Sequence, residues 1–277
     1  MKDRTVKGLK KGIHDVPFIS SWMPENFFGY AKAAGFDGVE LNVLEETGYL
    51  NINGTIREAK RIHAAGTNYG LEIHSLSTNL HNQYILSSGD RNIRDRGQDI
   101  ALKMIEYAAE IGAKVVQIVP GAITRDTCYS EAYQHAQQSL SRLGAEAKAA
   151  NIILGVENIC NRFLPSPKEF MRFLEEIDHP SVQAYLDIGN AMATGYPEHW
   201  IPLMGKRIVN IHVKDYRNSA GEFVSPLAGD VQWPGIMEAL RKVDYQGYMM
   251  TTPPRYAFCS ERLMESCSSD LSAILKL

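Results

Sequence analysis

Short apolar runs, most of them ending in a polar residue, alternate with longer amphipathic segments along this chain. Continuous apolar runs of this length are typical of parallel strands that are covered on both faces. We therefore predict eight β-strands, at Lys10–His14, Gly38–Asn42, Leu71–Leu76, Lys114–Val119, Ile152–Glu157, Val182–Asp187, Arg207–Val213 and Tyr248–Thr252.

The segments between these runs repeat apolar residues at the helical period. In two of them the apolar positions are three or four residues apart, at Ile100, Met104, Ala108 and Ile111 and at Ala132, Ala136, Leu140, Leu143 and Ala147. The string Ser166-Pro167-Lys168-Glu169 predicts a helix start, because serine can cap a helix, proline suits its first position and glutamate completes a capping box. A last helix is expected from about Glu261 to Leu275.

Strands that alternate with helices pair in parallel through right-handed crossovers. The pattern therefore predicts an α/β fold, a (β/α)8 TIM barrel, in one domain that covers residues 1–277. The links from strand to helix are long, whereas those from helix to strand are short. Long loops on one face are usually functional, and in such a barrel the active site lies at the carboxyl ends of the strands.

Bulk composition excludes several classes of protein. The formal net charge of −3 leaves no basic footprint, so we expect no nucleic-acid partner. No apolar stretch approaches the roughly 20 residues that span a bilayer, and the start lacks the apolar core of a signal peptide. The 4 cysteines show no metal-ligand spacing and are interpreted as free thiols in a reducing cytoplasm. We expect a cytoplasmic protein with no membrane contact.

Three potential metal ligands end successive predicted strands. Glu157, Asp187 and His212 lie 30 and 25 residues apart, about one strand and one helix each. A single polar residue at a strand end often does no more than form a hydrogen bond with a neighbouring backbone group. Together, however, two carboxylates and one imidazole at the same end of a barrel suit Mn²⁺, Mg²⁺, Co²⁺ or Zn²⁺. The sequence therefore predicts a divalent-metal site.

Four strings resemble the xylose-isomerase-like superfamily of sugar and sugar-phosphate isomerases and epimerases, and the resemblance covers nearly the whole chain. They are Ala33-Ala34-Gly35-Phe36-Asp37-Gly38-Val39-Glu40, Leu186-Asp187-Ile188-Gly189-Asn190, Ile211-His212-Val213-Lys214-Asp215-Tyr216 and Pro226-Leu227-Ala228-Gly229-Asp230-Val231-Gln232-Trp233-Pro234.

The resemblance implies a metal-dependent enzyme that acts on a small-molecule sugar, a ketose or ketose phosphate, by proton transfer through an enediolate. It implies that Glu157, Asp187 and His212 bind the metal and that Glu157 is one of two catalytic carboxylates. It also implies a homo-oligomer, a dimer or tetramer. Family members carry a second glutamate at the end of the last strand, where Gly247-Tyr248-Met249-Met250-Thr251-Thr252 places threonine.

Threonine has no carboxylate and cannot act as a base near neutral pH. Two alternatives to an epimerase or isomerase therefore stay open. One is a catalytically altered or inactive homologue that still binds metal and a sugar. The other is a lyase similar to inosose dehydratase, which shares the scaffold and needs one base. The DNA-repair endonucleases of the superfamily are disfavoured by the net charge of −3.

Five further residues are predicted to contact the substrate. Glu40 and His74 are interpreted as strand-end side chains at the barrel mouth, although a structural hydrogen bond is an equal alternative for His74. Asn190 follows Asp187 closely and can also orient its carboxylate. Arg217 resembles a substrate-binding arginine of the epimerases, and Lys214 is a candidate phosphate ligand.

Overall fold

The computed structural model describes residues 8–277, and within them eight parallel strands close into a barrel. The strands are β1 Leu9–His14, β2 Gly38–Leu44, β3 Leu50–Asn51, β4 Glu72–Ser77, β5 Val115–Ile118, β6 Ile153–Glu157, β7 Val182–Asp187, β8 Ile208–Val213, β9 Asp215–Arg217, β10 Glu222–Val224 and β11 Gly247–Thr251. The helices are α1 Pro24–Ala33, α2 Ile56–Asn68, α3 Arg91–Ile111, α4 Tyr129–Ala149, α5 Pro167–Ile177, α6 Ile188–Thr194, α7 Pro197–Met204, α8 Trp233–Lys242 and α9 Ser260–Ile274.

The barrel runs β1-β2-β4-β5-β6-β7-β8-β11 and closes from β11 back to β1. β3 extends the sheet beside β2, and β9 and β10 form an antiparallel hairpin after β8. The prediction of a (β/α)8 barrel is confirmed, with all eight barrel strands within a few residues of their expected bounds. No helix among residues 8–277 is long and apolar enough to cross a membrane.

Local signals explain most element boundaries. Ser166 caps α5 by accepting a hydrogen bond from the Glu169 amide at 3.3 Å. The second half of the expected capping box is absent, because the Glu169 carboxylate instead accepts from the Tyr129 hydroxyl. Gly112 ends α3 with a φ of +81°, a left-handed conformation that glycine adopts without strain.

Glycines leave room for the large side chains that fill the amino-terminal half of the barrel. A Cβ on Gly12 would overlap the Met250 sulfur, and one on Gly38 would lie 2.6 Å from the Tyr248 hydroxyl. Tyr248 and Met250 therefore occupy the barrel axis, and Thr252, directly after the last residue of β11, continues the same alternation.

A bulge in β4 changes which of its residues face the axis. The pairing of β4 with β2 joins Val39 to Ile73 but Glu40 to Ser75, so His74 is an extra residue. Ser75 and Ser77 then extend toward the carboxyl end of the strand. The expectation that His74 lies at a strand end is therefore wrong, because β4 continues to Ser77. Glu40 likewise lies inside β2, which continues to Leu44.

Candidate metal centre and substrate cavity

A cavity of about 240 Å³ opens at the carboxyl ends of the barrel strands. Its floor carries the predicted metal ligands, and its wall is mostly neutral and polar. The lining residues are His14, Val16, Ser77, Thr78, Asn79, Asn82, Gln117, Val119, Glu157, Ile159, Asp187, Asn190, His212, Lys214 and Thr252.

The three predicted ligands meet on the floor of this cavity. His212 Nδ1 lies 2.6 Å from Glu157 Oε1 and 3.7 Å from Asp187 Oδ2. One ligand atom from each of the three residues falls within 4.8 Å of the others, and all three side chains are buried. The sequence spacing thus brings together two oxygens and one nitrogen at a distance that one divalent cation can span.

Neighbouring amides fix both carboxylates. Gln117 Nε2 donates to Glu157 Oε2 at 2.6 Å. Asp187 caps α6, because its Oδ1 accepts from the Asn190 amide at 2.7 Å. Asn158 bridges the two strands by accepting from the Asp187 amide and donating to the Asp187 carbonyl. Each carboxylate therefore has one oxygen held by the protein and one oxygen directed at the centre.

A cation of the protein also contacts this centre. Lys214 Nζ lies 2.8 Å from Asp187 Oδ2 and 4.4 Å from the centre of the Phe223 ring. Burial alone would lower the pKa of Lys214, but Asp187 and Glu157 outweigh it and raise the pKa above its usual value. Lys214 is therefore an ammonium ion that borders both the predicted metal ligands and the cavity.

His212 is held between two carboxylates. On the side opposite Glu157, its Nε2 lies 2.7 Å from Glu40 Oε1. Burial alone would lower the pKa of His212, but Glu40 and Glu157 raise it to about 10. The imidazole is thus protonated on both nitrogens, and a metal bound at Nδ1 would take the place of one proton.

Thr252 faces the same cavity from the end of β11. Its amide donates to the Val213 carbonyl at 3.0 Å, which fixes the backbone beside the strand that carries His212. Its Oγ1 is buried and has no hydrogen-bond partner among residues 8–277. An unpartnered hydroxyl beside two carboxylates and an imidazole fits a divalent cation, which accepts oxygen ligands.

Five of the eight residues predicted at the site line the cavity, namely Glu157, Asp187, Asn190, His212 and Lys214. The other three lie elsewhere. Glu40 is fully buried beneath His212 and is no part of the lining. His74 packs on the Tyr248 ring in the amino-terminal half of the barrel. Arg217 lies in the β9–β10 hairpin, where it pairs with Glu222 and donates to the Ala228 carbonyl. Their predicted contacts with substrate find no support in this geometry.

Several cavity residues escaped the sequence analysis. Gln117 is the one polar residue inside the apolar run Val115–Ile118, a signal that could have marked it as an inward-facing side chain. Asn79 and Asn82 line the wall from the loop and short 3₁₀ turn after β4. Their positions follow from loop conformation, which no periodic pattern predicts.

Comparison with known proteins agrees with this architecture. The model of the xylose isomerase-like TIM barrel family matches residues 28–264. The chain belongs to that family. The matched part of the chain includes the strands that carry Glu157, Asp187 and His212, so the candidate metal centre lies inside the shared fold.

Curated relatives of this chain and solved structures with the same fold include several sugar epimerases. SgbU of Escherichia coli (strain K12), provisionally named an L-ribulose-5-phosphate 3-epimerase, is 28% identical over 82% of this chain and 82% of its own. The L-ribulose-5-phosphate 3-epimerase UlaE of Escherichia coli (strain K12) is 26% identical over 87% of this chain and 86% of its own. The structure of a D-tagatose 3-epimerase-like protein matches with a TM-score of 0.82 at 21% identity, over 96% of this chain and 97% of that one.

Proposed function

We propose that this protein is a divalent-metal-dependent epimerase or isomerase of a ketose or ketose phosphate. The observation that carries the proposal is the convergence of Glu157, Asp187 and His212 on the floor of one cavity. Its family includes relatives named as epimerases of ribulose 5-phosphate and of free ketoses. A polyhydroxylated substrate suits the neutral amide and hydroxyl groups of the wall, which can exchange hydrogen bonds with sugar hydroxyls.

Glu157, Asp187 and His212 would hold the metal, with Thr252 Oγ1 as a weak neutral neighbour. When bound, a divalent cation supplies Lewis-acid stabilisation of the negative charge that develops on a ketose oxygen. Burial alone would raise the pKa of Glu157, but His212 and Lys214 outweigh it and hold the pKa below its usual value. Glu157 is thus ionised and able to accept the proton next to the sugar carbonyl.

The return of that proton decides between the two reactions. A single carboxylate that returns the proton to the neighbouring carbon on the same face interconverts ketose and aldose. Epimerisation needs a donor on the opposite face, and Thr252 supplies no carboxylate there. We therefore expect Glu157 to perform both proton transfers unless a group of the cavity wall donates from the other side.

Solvent exchange tests the proposal directly. Protein loaded with Mn²⁺ is incubated in D₂O with a panel of ketoses and ketose phosphates, and deuterium at the carbons beside the carbonyl is measured by mass spectrometry and NMR. We expect incorporation into at least one sugar and its loss in Glu157→Gln. Absence of exchange across the panel, with metal bound, would contradict the proposal.

A second candidate function is a homologue that binds metal and sugar without turnover, and Thr252 is the observation that favours it. This candidate predicts that a ketose raises the thermal stability of the metal-loaded protein while no deuterium enters the sugar. Exchange above the rate of a Glu157→Gln control would contradict it. The same two measurements therefore separate the two functions.

A further inference from the structure

The Nε2 side of His212 faces a carboxylate that the proton-transfer chemistry does not use. Glu40 Oε1 lies 2.7 Å from His212 Nε2, and Glu40 is fully buried beneath the imidazole. No cavity surface belongs to Glu40, so it cannot contact a sugar directly. Burying a carboxylate is costly unless it is paired and hydrogen-bonded, which calls for a reason for its presence here.

The hydrogen bonds around Glu40 have one consistent direction. Asn210 Nδ2 donates to the Tyr185 hydroxyl at 2.9 Å and to the Ser75 hydroxyl at 3.2 Å. Since both hydroxyls accept from this amide, their own protons are free for Glu40 Oε2, which lies 2.7 Å from the Tyr185 oxygen. Two donors occupy both lone pairs of Glu40 Oε2, so this oxygen carries no proton. The hydrogen that joins the other Glu40 oxygen to His212 Nε2 lies on the imidazole, which is the more basic of the two groups.

We propose that Glu40 is a positioning residue that holds the His212 proton on Nε2 and so directs the Nδ1 lone pair at the cation between Glu157 and Asp187. Ser75, Tyr185 and Asn210 hold Glu40 in turn. A carboxylate behind a metal-ligating histidine fixes its tautomer and ring orientation and raises its basicity. The inference rests on the metal centre of the proposed function, and it does not depend on which sugar is bound or converted.

One competing arrangement uses the same residues. Nitrogen or oxygen atoms of His14, Glu40 and His212 also lie within 4.8 Å of one another, so a cation could in principle bind at Nε2 instead. His14 Nε2 is already bonded to Ser77 Oγ at 2.8 Å, and Glu40 Oε2 already accepts from two hydroxyls. These contacts favour Nδ1 as the metal-binding nitrogen.

Nitrogen NMR of the intact protein decides between the two arrangements. Uniformly ¹⁵N-labelled protein is loaded with Zn²⁺, and the His212 signals are assigned by their loss in His212→Ala. We expect Nδ1 to move to a metal-bound shift while Nε2 keeps its proton. Zinc on Nε2, or a proton on Nδ1 in the loaded protein, would overturn the proposal, and no variant of Glu40 is needed for this result.

Metal affinity then tests what Glu40 contributes. Competition with a chromophoric chelator is expected to show Zn²⁺ binding weakened about ten- to a hundredfold in Glu40→Gln. Asp15→Asn is the matched control, because Asp15 is also fully buried at the end of a neighbouring strand and accepts from the Asn42 amide without touching His212. The Zn²⁺ affinity of Asp15→Asn should stay within about twofold of that of the wild type, well below the tenfold loss that corresponds to 1.4 kcal/mol.

The outcomes separate this inference from its alternatives. Wild-type affinity in Glu40→Gln, or an equal loss in Asp15→Asn, would reduce Glu40 to a structural residue and overturn the proposal. If Glu40→Gln does not fold, the assignment of the zinc-bound nitrogen in the wild type still decides it. A protein without deuterium exchange would contradict the proposed function and leave the zinc measurements unaffected.

Discussion

The two ends of the barrel interior use the same kinds of side chain for different purposes. At the amino-terminal end, Glu72 accepts hydrogen bonds from the Lys10 ammonium and the Tyr248 hydroxyl, both at 2.9 Å, and lies 3.3 Å from His74 Nδ1. At the carboxyl end, Glu157 and His212 meet beside a cavity, with the unpartnered Thr252 hydroxyl facing it. A glutamate and a histidine therefore do not indicate a site by themselves. Their position along the strands does.

The electrostatics of the two ends differ in the same sense. The contacts with His74 and Lys10 lower the pKa of Glu72 to about 2 even though burial opposes them, so this carboxylate has its cationic and hydroxyl partners in place. At the mouth, burial disfavours the charged form of His212. The pKa of His212 is nevertheless raised, because carboxylates flank both its nitrogens. The carboxylate of the first cluster has its donors within the protein, although His74 Nε2 is buried without a partner among residues 8–277. In the second cluster a cation would take the place of a proton on His212.

The largest effect that separates the two ends is expected from removing one histidine at each. His212→Ala should lower Mn²⁺ affinity more than about a hundredfold, since loss of an outer-shell partner alone costs ten- to a hundredfold. His74→Ala removes the same side chain from the other end and should leave Mn²⁺ affinity unchanged. Titration calorimetry on both variants measures this difference. Equal losses in the two variants would contradict the distinction between the ends.

A smaller effect is expected at Thr252, where the family resemblance implies a glutamate. Thr252→Glu adds a carboxylate to a centre with three strong ligands, so Mn²⁺ affinity should rise about tenfold, or ~1.4 kcal/mol. Thr252→Val is the matched control, because it keeps the shape and removes only the unpartnered hydroxyl. It should bind Mn²⁺ only slightly more weakly than the wild type, because the hydroxyl is a weak neutral neighbour beside three strong ligands.

Deuterium exchange in Thr252→Glu sharpens the meaning of this residue. A large increase in exchange rate would show that the threonine limits the native site, whereas a decrease would show a site adapted to one carboxylate. Weaker Mn²⁺ binding in Thr252→Glu would contradict the prediction, because it would mean that the side chain at position 252 does not reach the centre.

The convergence of Glu157, Asp187 and His212 could be predicted from sequence because Glu157 and Asp187 are the last residues of β6 and β7, and His212 is the next to last of β8. At these positions the end of the apolar run in the sequence coincides with the end of the strand in the structure. The same rule failed for Glu40 and His74. Both residues lie inside the predicted strands Gly38–Asn42 and Leu71–Leu76 as well as inside β2 and β4, so neither is a strand end.

The rest of the site depends on tertiary structure that leaves no local pattern. Arg217 is turned from the cavity by the β9–β10 hairpin, a pairing of short and partly exposed strands without a clear alternation. The bulge that leaves His74 as an extra residue arises from the pairing of β4 with β2, and no residue type near it predicts a bulge. The positions of His74 and Arg217 therefore depend on how the strands pair, which the amino-acid sequence of each strand does not show.

The smallest expected effect is the pH dependence of stability that the amino-terminal cluster contributes. The pKa of Glu72 is lowered to about 2 in the folded protein, so its contribution to stability is fully present above the unfolded value near 4.5 and is lost as the pH falls toward 2. Because the side chain is 39% exposed, solvent screening limits this contribution to about 1 kcal/mol. Urea unfolding of the wild type and Glu72→Gln, measured from pH 7 downward, gives the difference.

The two unfolding free energies should differ at neutral pH and converge as the pH falls below about 4.5, where unfolded carboxylates take up protons. Mn²⁺ affinity at neutral pH should be the same in both proteins, because Glu72 lies at the opposite end from the metal ligands. A constant difference at all pH values would mean that Glu72 acts through packing rather than charge. A loss of Mn²⁺ affinity would mean instead that the two ends are coupled along the barrel axis, through the layer of Tyr248 and Met250 that lies between them.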